Sequence, residues 1–195
     1  LWLVTDQRND AVLESAIARL PRGSGVIFRH YHLEARQRRR RFETLARIAR
    51  RRGHCIVLAG DTRTARRWGA HGAYGAARQL HGGRRLLRLA TAHGLGEIGV
   101  ALRVGADAVL LSPVFPTRSH PGGKALGPVR FRLIARHARM PVIALGGMNR
   151  ATARRLGWPR WAAIDGLSAC PDQPCDLRFV ADFQAILDEE PPKGP

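Results

Sequence analysis

Short apolar runs alternate along the chain with segments in which apolar residues recur every three to four positions. A short apolar run is typical of a buried strand, whereas the longer period is typical of a helix with one buried face. The pattern predicts strands over residues 1–6, 25–31, 55–60, 72–75, 86–92, 108–115, 141–146 and 164–168, the last within the apolar run 162–169. Predicted helices cover residues 11–20, 34–51, 62–69, 95–104, 128–138, 150–156 and 177–188.

The predicted strands are apolar at nearly every position, and helical segments separate them. Strands with this composition are typical of a parallel sheet that helices cover on its faces. A doubly wound open sheet and a closed barrel both satisfy that pattern. Eight units in 195 residues, with no Gly-x-Gly-x-x-Gly loop after the first strand, favour an α/β fold with one (β/α)8 TIM barrel over residues 1–188. Residues 189–195 are predicted to form a disordered tail.

The chain is strongly basic, with 33 Lys and Arg against 15 Asp and Glu and a net charge of +18. This charge favours anionic partners such as nucleic acid, membrane surfaces or phosphorylated metabolites. A GC-rich genome that encodes arginine wherever a cation is tolerated explains it equally well. No aromatic residue interrupts the basic run 36–41, as stacking on single-stranded nucleic acid would require. We interpret the run as a solvated helix face and expect phosphorylated small molecules, not nucleic acid, as partners.

Three cysteines, Cys55, Cys170 and Cys175, form neither a disulfide framework nor a CxxC pair, which is typical of a reducing cytoplasm. Cys55 lies in an apolar run and is interpreted as a small buried hydrophobe. No apolar segment reaches the ~18 residues of a membrane span, and no signal peptide is visible. A cytoplasmic protein without a membrane partner is therefore predicted. The chain starts with a strand at Leu1 and not with methionine, so we expect N-terminal sequence to be missing.

The active site of a TIM barrel lies at the carboxyl ends of its strands, and the loops after strands seven and eight commonly bind phosphate. The segment LGGMN follows strand seven, and LSA closes strand eight. The backbone at Gly146 and Gly147 can approach an oxyanion closely, and the Ser168 hydroxyl can add a donor. A tight turn alone would also explain the glycine pair, but the barrel context favours a phosphate site.

The loop after strand six offers hydroxyls and cations to a second anion. Prolines end this strand abruptly, because proline lacks an N–H group, and two glycines later in the loop allow it to move. We expect residues 116–124 to be mobile when the site is empty and to close over a pyrophosphate group; an ordinary solvated loop is the alternative. The candidate donors are Thr117, Arg118, Ser119, His120 and Lys124. Thr91 and His93 are separate candidates at the end of strand five.

Several segments together resemble the thiamine phosphate synthase family. They are LWLVTD at the start, TAHG, GAD before strand six, SPVFPT and PVIALGGM. The resemblance covers residues 1–169 and is sharpest over residues 105–147. It implies an enzyme of thiamine biosynthesis that joins hydroxymethylpyrimidine pyrophosphate to thiazole phosphate, releases pyrophosphate and uses magnesium. By position, it also implies that Arg29, Thr117 and Ser119 hold the pyrophosphate, that Gly146, Gly147 and Ser168 hold the thiazole phosphate, and that Thr91 and His93 line the pyrimidine side.

The chain departs from the family where the family binds pyrophosphate and metal. Strand two of the family reads Gln-x-Arg-x-Lys, and here only Arg29 is retained. The Asn-Asp that ends strand three is Ala59-Gly60, with Asp61 one residue later, and the next expected acid falls at Gln79. Magnesium needs such carboxylates, so magnesium is a possible cofactor whose usual acidic ligands are missing. Arginine side chains could supply part of its charge, with Arg29, Arg63 and Arg78 as candidates; the loop lysine of the family is His120 here.

Other functions remain open. The thiazole tautomerases share the barrel, but the histidine of their pattern falls at Pro113, and SPVFPT resembles the synthases. A barrel that binds a phosphate ligand without catalysis would also keep one phosphate site and lose the acids. A protein that binds nucleic acid through the basic run 36–41 is the least favoured hypothesis.

Overall fold

A computed structural model describes residues 1–82, 85–119 and 122–168 of the chain. The eight strands are β1 Trp2–Val4, β2 Gly25–Phe28, β3 Cys55–Ala59, β4 Gly72–Ala76, β5 Leu87–Ala92, β6 Ala108–Leu111, β7 Val142–Ala144 and β8 Ala162–Ala163. The helices are α1 Leu13–Arg19, α2 Ala35–Arg51, α3 Thr62–Arg67, α4 Leu95–Arg103, α5 Gly127–Arg136 and α6 Arg150–Leu156. Three short 3-10 helices cover Gln7–Val12, Ala77–Gln79 and Asp165–Leu167.

The strands form one parallel sheet in which sequence neighbours pair, with β1 also paired to β8. The two ends of the sheet meet where Ala144 of β7 forms a parallel bridge with Trp161, and the Ala144 N–H donates to the Arg160 carbonyl at 2.9 Å. The sheet is therefore a nearly closed barrel with helices between its strands. The predicted (β/α)8 architecture and the sequential strand order are confirmed, and the open-sheet alternative is wrong.

Two apolar clusters hold the barrel together, one on each face of the sheet. The inner cluster fills the lumen and includes Trp2, Val4, Ile27, Tyr74 and Leu110. The outer cluster packs the other face against the helices, and the fully buried rings of Phe28, Phe42 and Phe131 belong to it. Burial on both faces explains why the strands are apolar at nearly every position.

Several predicted elements differ in their bounds, and four of the differences have a clear structural reason. The strand predicted at 164–168 is wrong, because the chain turns after Ala163 into the 3-10 helix and the Ile164 carbonyl accepts from the Ser168 hydroxyl. Strand β2 ends at Phe28 and not at residue 31, since His30 takes a φ of 38° that no strand contains. Strand β6 ends at Leu111, before Pro113, which has no N–H for the ladder. The helix predicted over 11–20 starts at Leu13, after a 3-10 helix that begins at Gln7.

Some predictions concern residues outside the described part of the chain. These are the helix 177–188, the tail 189–195, Cys170, Cys175 and His120. Cys55 packs against the inner cluster, and burial raises the pKa of its thiol to about 12, as expected of a small hydrophobe. Among the described residues, no helix combines the length and the apolar composition that crossing a membrane requires.

Candidate active site

The mouth of the barrel is the end at which all eight parallel strands finish, and it collects the residues that the sequence predicts for the site. Arg29 directly follows β2, Thr91 is the second-to-last residue of β5, and His93 directly follows that strand. Gly146 and Gly147 follow β7, and Ser168 lies beyond β8. The loop after β6 brings Thr117, Ser119 and Lys124 to the same end of the barrel.

Gly146 and Gly147 pack directly onto the loop after β6. Both take positive φ angles, 92° and 63°. A Cβ on Gly146 would lie 2.7 Å from Pro113, and one on Gly147 would lie 2.5 Å from the Pro116 carbonyl oxygen. The glycines thus let two neighbouring loops touch through their backbones. Close approach of the loops is sufficient reason for the glycine pair, whatever ligand it also binds.

The Ser168 hydroxyl already has partners within the protein. It donates to the Ile164 carbonyl at 2.7 Å and accepts from the Asn9 side chain at 3.0 Å. Asn9 is itself buried, and its amide also donates to the carbonyls of Val4 and Ile164 at 3.1 and 3.2 Å. Asn9 therefore ties the end of β1 to the segment after β8, and Ser168 belongs to this junction.

Arg8 connects three loops across the mouth. Its guanidinium donates to Asp6 at 2.9 Å, to the Ser119 hydroxyl at 2.9 Å and to Asp165 at 3.4 Å. Burial opposes ionisation of Asp6, but the hydrogen bonds from Arg8 outweigh it and lower the pKa of that carboxyl. The Thr117 hydroxyl accepts from the Ser119 N–H at 3.3 Å. In this arrangement Arg8 holds the loop after β6 toward the ends of β1 and β8.

A buried polar chain runs from β1 to α2 beside Arg29. The Arg29 N–H donates to the Thr5 hydroxyl oxygen at 3.0 Å, so the Thr5 proton is available to His30 Nδ1 at 2.7 Å. His30 Nε2 then donates to Asp10 at 2.7 Å, and Arg41 donates to the same carboxylate at 2.8 Å. Burial lowers the pKa of His30, only partly opposed by Asp10, which keeps the imidazole neutral near pH 7. This chain fixes the backbone that presents Arg29.

The Arg29 guanidinium lies at the mouth without a hydrogen-bond acceptor among the described residues. It is half-buried and sits 5.6 Å from the ring centroid of Tyr31. Its charge also acts on Tyr74 in the lumen, where burial nevertheless raises the pKa of the phenol to about 12. The charge of Arg29 helps to lower the pKa of Asp6, but no carboxylate of the described residues forms an ion pair with it, so this half-buried cation can bind an anion.

The remaining predicted residues are Thr91, His93 and Lys124. The Thr91 hydroxyl contacts the Gly75 carbonyl at 3.5 Å. His93 is exposed, and its backbone N–H and Nδ1 meet Glu97 at 2.5 and 3.0 Å, at the start of α4. Lys124 is exposed. The structure thus brings these groups to the rim of the mouth, where His93 is bonded to Glu97 of the helix that follows it.

The side chains at the ends of β3 and β4 do not fit magnesium. Ala59 and Gly60 offer no side-chain oxygen, and Asp61 caps α3 by accepting from the Thr64 N–H and hydroxyl, both at 2.8 Å. Gln79 contributes an amide and no carboxylate. Within residues 1–82, 85–119 and 122–168, no three His, Cys, Asp or Glu side chains cluster as a metal site would need. Since magnesium in proteins is usually held by one or two carboxylates, no catalytic step is assigned to it here.

The sequence pattern alone missed Arg8, Asn9, His30 and Arg38 as parts of the mouth. One signal was available: Asp6 and Asn9 have the spacing of a capping box, and both capping hydrogen bonds are present. The position of Arg38 could not be foreseen, because its partners, the carbonyls of Arg29 and Ala59, lie on two other elements.

The fold defines the class of protein, a (β/α)8 barrel, a class in which functional sites typically lie at the carboxyl ends of the strands. The sequence matches the thiamine monophosphate synthase family over residues 1–166. The thiamine-phosphate synthase of Chloroflexus aurantiacus is 28% identical over 209 residues, covering 97% of this chain and 94% of that protein. The thiamine-phosphate synthase of a Mycobacterium species is 28% identical over 207 residues, covering 93% and 91%. The thiamine phosphate pyrophosphorylase structure from Pyrococcus furiosus matches with a TM-score of 0.72 at 21% identity, covering 95% and 94%.

The chain therefore belongs to the thiamine monophosphate synthase family, whose named relatives are transferases. The resemblance inferred from its sequence motifs is confirmed, and the match to the solved structure confirms the fold.

Proposed function

We propose that this protein is a thiamine-phosphate synthase that joins hydroxymethylpyrimidine pyrophosphate to thiazole phosphate. In this reaction the bond between the pyrimidine methylene carbon and the pyrophosphate oxygen breaks, and the thiazole nitrogen bonds to that carbon. Pyrophosphate leaves with the electron pair of the broken bond. The observation that carries the proposal is Arg29, a half-buried guanidinium without a hydrogen-bond acceptor in the described structure, at the mouth of a barrel of this family.

The proposed roles are those that the family resemblance implies for these residues. Arg29 stabilises the negative charge that develops on the leaving pyrophosphate, together with Thr117 and Ser119. The barrel contributes mainly by holding the thiazole nitrogen against the methylene carbon. The thiazole phosphate binds at the backbone of Gly146 and Gly147 with Ser168, whose hydroxyl would exchange its bond to Ile164 for one to phosphate. Thr91 and His93 line the pyrimidine side, and Lys124 adds a cation at the rim.

The loop at residues 116–124 is proposed to close over the pyrophosphate. Arg8 donates to the Ser119 hydroxyl, so the segment after β1 offers a contact that would hold the closed loop. Replacing both Thr117 and Ser119 with alanine should weaken binding of inorganic pyrophosphate about tenfold and leave binding of thiazole phosphate unchanged. Equal loss of both ligands, or loss of neither, would contradict this role.

A turnover assay with both phosphorylated substrates tests the proposed reaction. The wild-type protein should form thiamine phosphate and release pyrophosphate. Arg29→Gln should lower kcat/KM about a hundredfold or more, since a removed transition-state contact typically costs that much. Arg47→Gln is the matched control, because Arg47 lies exposed on α2. A wild-type protein that binds thiazole phosphate but forms no product would show a phosphate-binding barrel without catalysis.

A further inference from the structure

Arg38 reaches the mouth from the second turn of α2. Its Nε donates to the Arg29 carbonyl at 2.9 Å, and its Nη2 donates to the Ala59 carbonyl at 2.6 Å. These carbonyls follow β2 and end β3, so one guanidinium spans the carboxyl ends of two neighbouring strands. The side chain is half-buried.

Three aromatic rings lie within cation–π distance of this guanidinium. The Arg38 Cζ lies 5.2 Å from the ring centroid of Tyr31, 5.6 Å from that of Trp68 and 5.8 Å from that of Phe28. Such contacts favour the planar arginine fork and orient it. Burial lowers the pKa of Arg38, but an arginine stays charged at any physiological pH.

Tyr31 brings the two arginines of the mouth together. The Arg29 Cζ lies 5.6 Å from the same ring centroid that Arg38 contacts. Nη1 of Arg38, like the guanidinium of Arg29, has no hydrogen-bond acceptor in the described part of the chain. The nearby acids are engaged elsewhere, Asp6 with Arg8 and Asp61 with Thr64. Two cations thus share one side of the mouth; the charge of Arg29 acts on Asp6, but neither arginine forms an ion pair with a carboxylate of the described residues.

We infer that Arg38 and Arg29 form a binding site for a diphosphate group that needs no divalent metal. Guanidinium groups bind phosphate oxygens through paired, charge-assisted hydrogen bonds. A magnesium ion at this place would require carboxylates, and the positions at the ends of β3 and β4 carry Ala59, Gly60 and Gln79. This inference rests on the proposed function, because it names how the pyrophosphate side of that same site is neutralised.

Calorimetric titration of inorganic pyrophosphate tests the inference directly. At an ionic strength of about 0.15 M, the wild-type protein should bind pyrophosphate in EDTA with a Kd within about threefold of that in magnesium. Arg38→Gln should weaken the metal-free binding about tenfold or more, and Arg38→Lys should fall between, since lysine keeps the charge but loses the fork. Arg40→Gln, an exposed position on the same helix, should leave the Kd unchanged and serves as the control.

Binding that disappears in EDTA and returns with magnesium would overturn the inference, and so would an Arg38→Gln variant that binds like wild type. The comparison of EDTA with magnesium uses the wild-type protein, so it holds even if a variant fails to fold. Metal-free binding without turnover would contradict the proposed synthase function alone. Turnover that strictly requires magnesium, with no metal-free binding, would contradict the arginine site alone.

Discussion

The two sides of the barrel mouth are built by different means. On the side of β6, β7 and β8, the loops touch through their backbones, with Gly147 against the Pro116 carbonyl. On the side of β1, β2 and β3, side chains form the site: Thr5, His30 and Asp10 make a buried chain, and Arg38 covers the strand ends.

This difference explains which part of the family pattern the chain retains. A Cβ added to Gly147 would lie 2.5 Å from the Pro116 carbonyl oxygen, so no side chain fits at this contact. The segments SPVFPT and LGGM therefore stay recognisable. A site made of long side chains can be rebuilt, because a cation can reach the same place from another element. At position 31 the family lysine is a tyrosine, and the ring of Tyr31 instead contacts the guanidinium of Arg38.

The largest effect on stability is expected from Gly147→Ala, which disrupts the backbone contact between Gly147 and Pro116. The added Cβ would clash with Pro116 and Phe115, and the φ of 63° is unfavourable for alanine. We expect the free energy of unfolding to fall by about 3 kcal/mol, from overpacking and backbone strain together.

Gly82→Ala is the matched control for this substitution. Gly82 has a similar φ of 68°, but a Cβ there would meet nothing within 4 Å, so it should lose only about 1 kcal/mol. Denaturant unfolding measures both variants. Equal losses for the two would show that the close approach of the loops contributes nothing.

A smaller effect is expected from His30→Phe on the other side of the mouth. Phenylalanine keeps the ring stacked on Phe28, whose centroid lies 4.7 Å away, but it leaves the buried Thr5 hydroxyl without an acceptor. The expected loss of unfolding free energy is about 2 kcal/mol. A double-mutant cycle with Thr5→Val should give a coupling of about 1 kcal/mol. Additive losses would mean that the Thr5–His30 hydrogen bond has no energetic role.

The sequence predicted the barrel well because its evidence is local. Each strand is a short apolar run between helical segments, and β4, the weakest of these runs, still pairs with β3 and β5. The predictions fail where a tertiary contact determines the conformation of the backbone. Residues 164–168 are apolar enough for a strand, yet the Asn9 amide and the Ser168 hydroxyl both bond the Ile164 carbonyl, and the chain forms a 3-10 turn.

The same limit applies to the candidate site. Arg29 and the glycine pair could be placed from motifs, since each follows a recognisable strand. His30 could not be placed, because its partners Thr5 and Asp10 lie on other segments. Arg38 could not be placed either, because a basic helix predicts only a solvated face, and nothing local shows that this arginine turns toward Ala59. Asp61 was considered beside the missing acids, but it is the N-cap of α3, where its carboxylate accepts from the backbone N–H of Thr64.

The smallest expected effect is a change in how the unfolding free energy depends on pH. It also distinguishes the two sides of the mouth most clearly. Burial lowers the pKa of His30 and of His54, so the unfolded chain takes up protons below pH ~6.5 more readily than the folded protein. The contribution of the two histidines to the unfolding free energy is complete above that pH. It is lost as the pH falls below pH ~6.5, by at most about 1.4 kcal/mol per pH unit for each histidine.

His30→Phe removes one of these groups, whereas His54, bonded to the Ile17 carbonyl at 3.1 Å, remains. Between pH 7 and 5 the unfolding free energy of His30→Phe should therefore fall less steeply than that of the wild type. Gly147→Ala changes no titrating group, so its curve should lie below that of the wild type and run parallel to it. Urea unfolding at a series of pH values measures all three slopes. A wild-type slope retained in His30→Phe would mean that His30 is protonated as easily in the folded protein as in the unfolded chain, and the neutral Thr5–His30–Asp10 chain would be wrong.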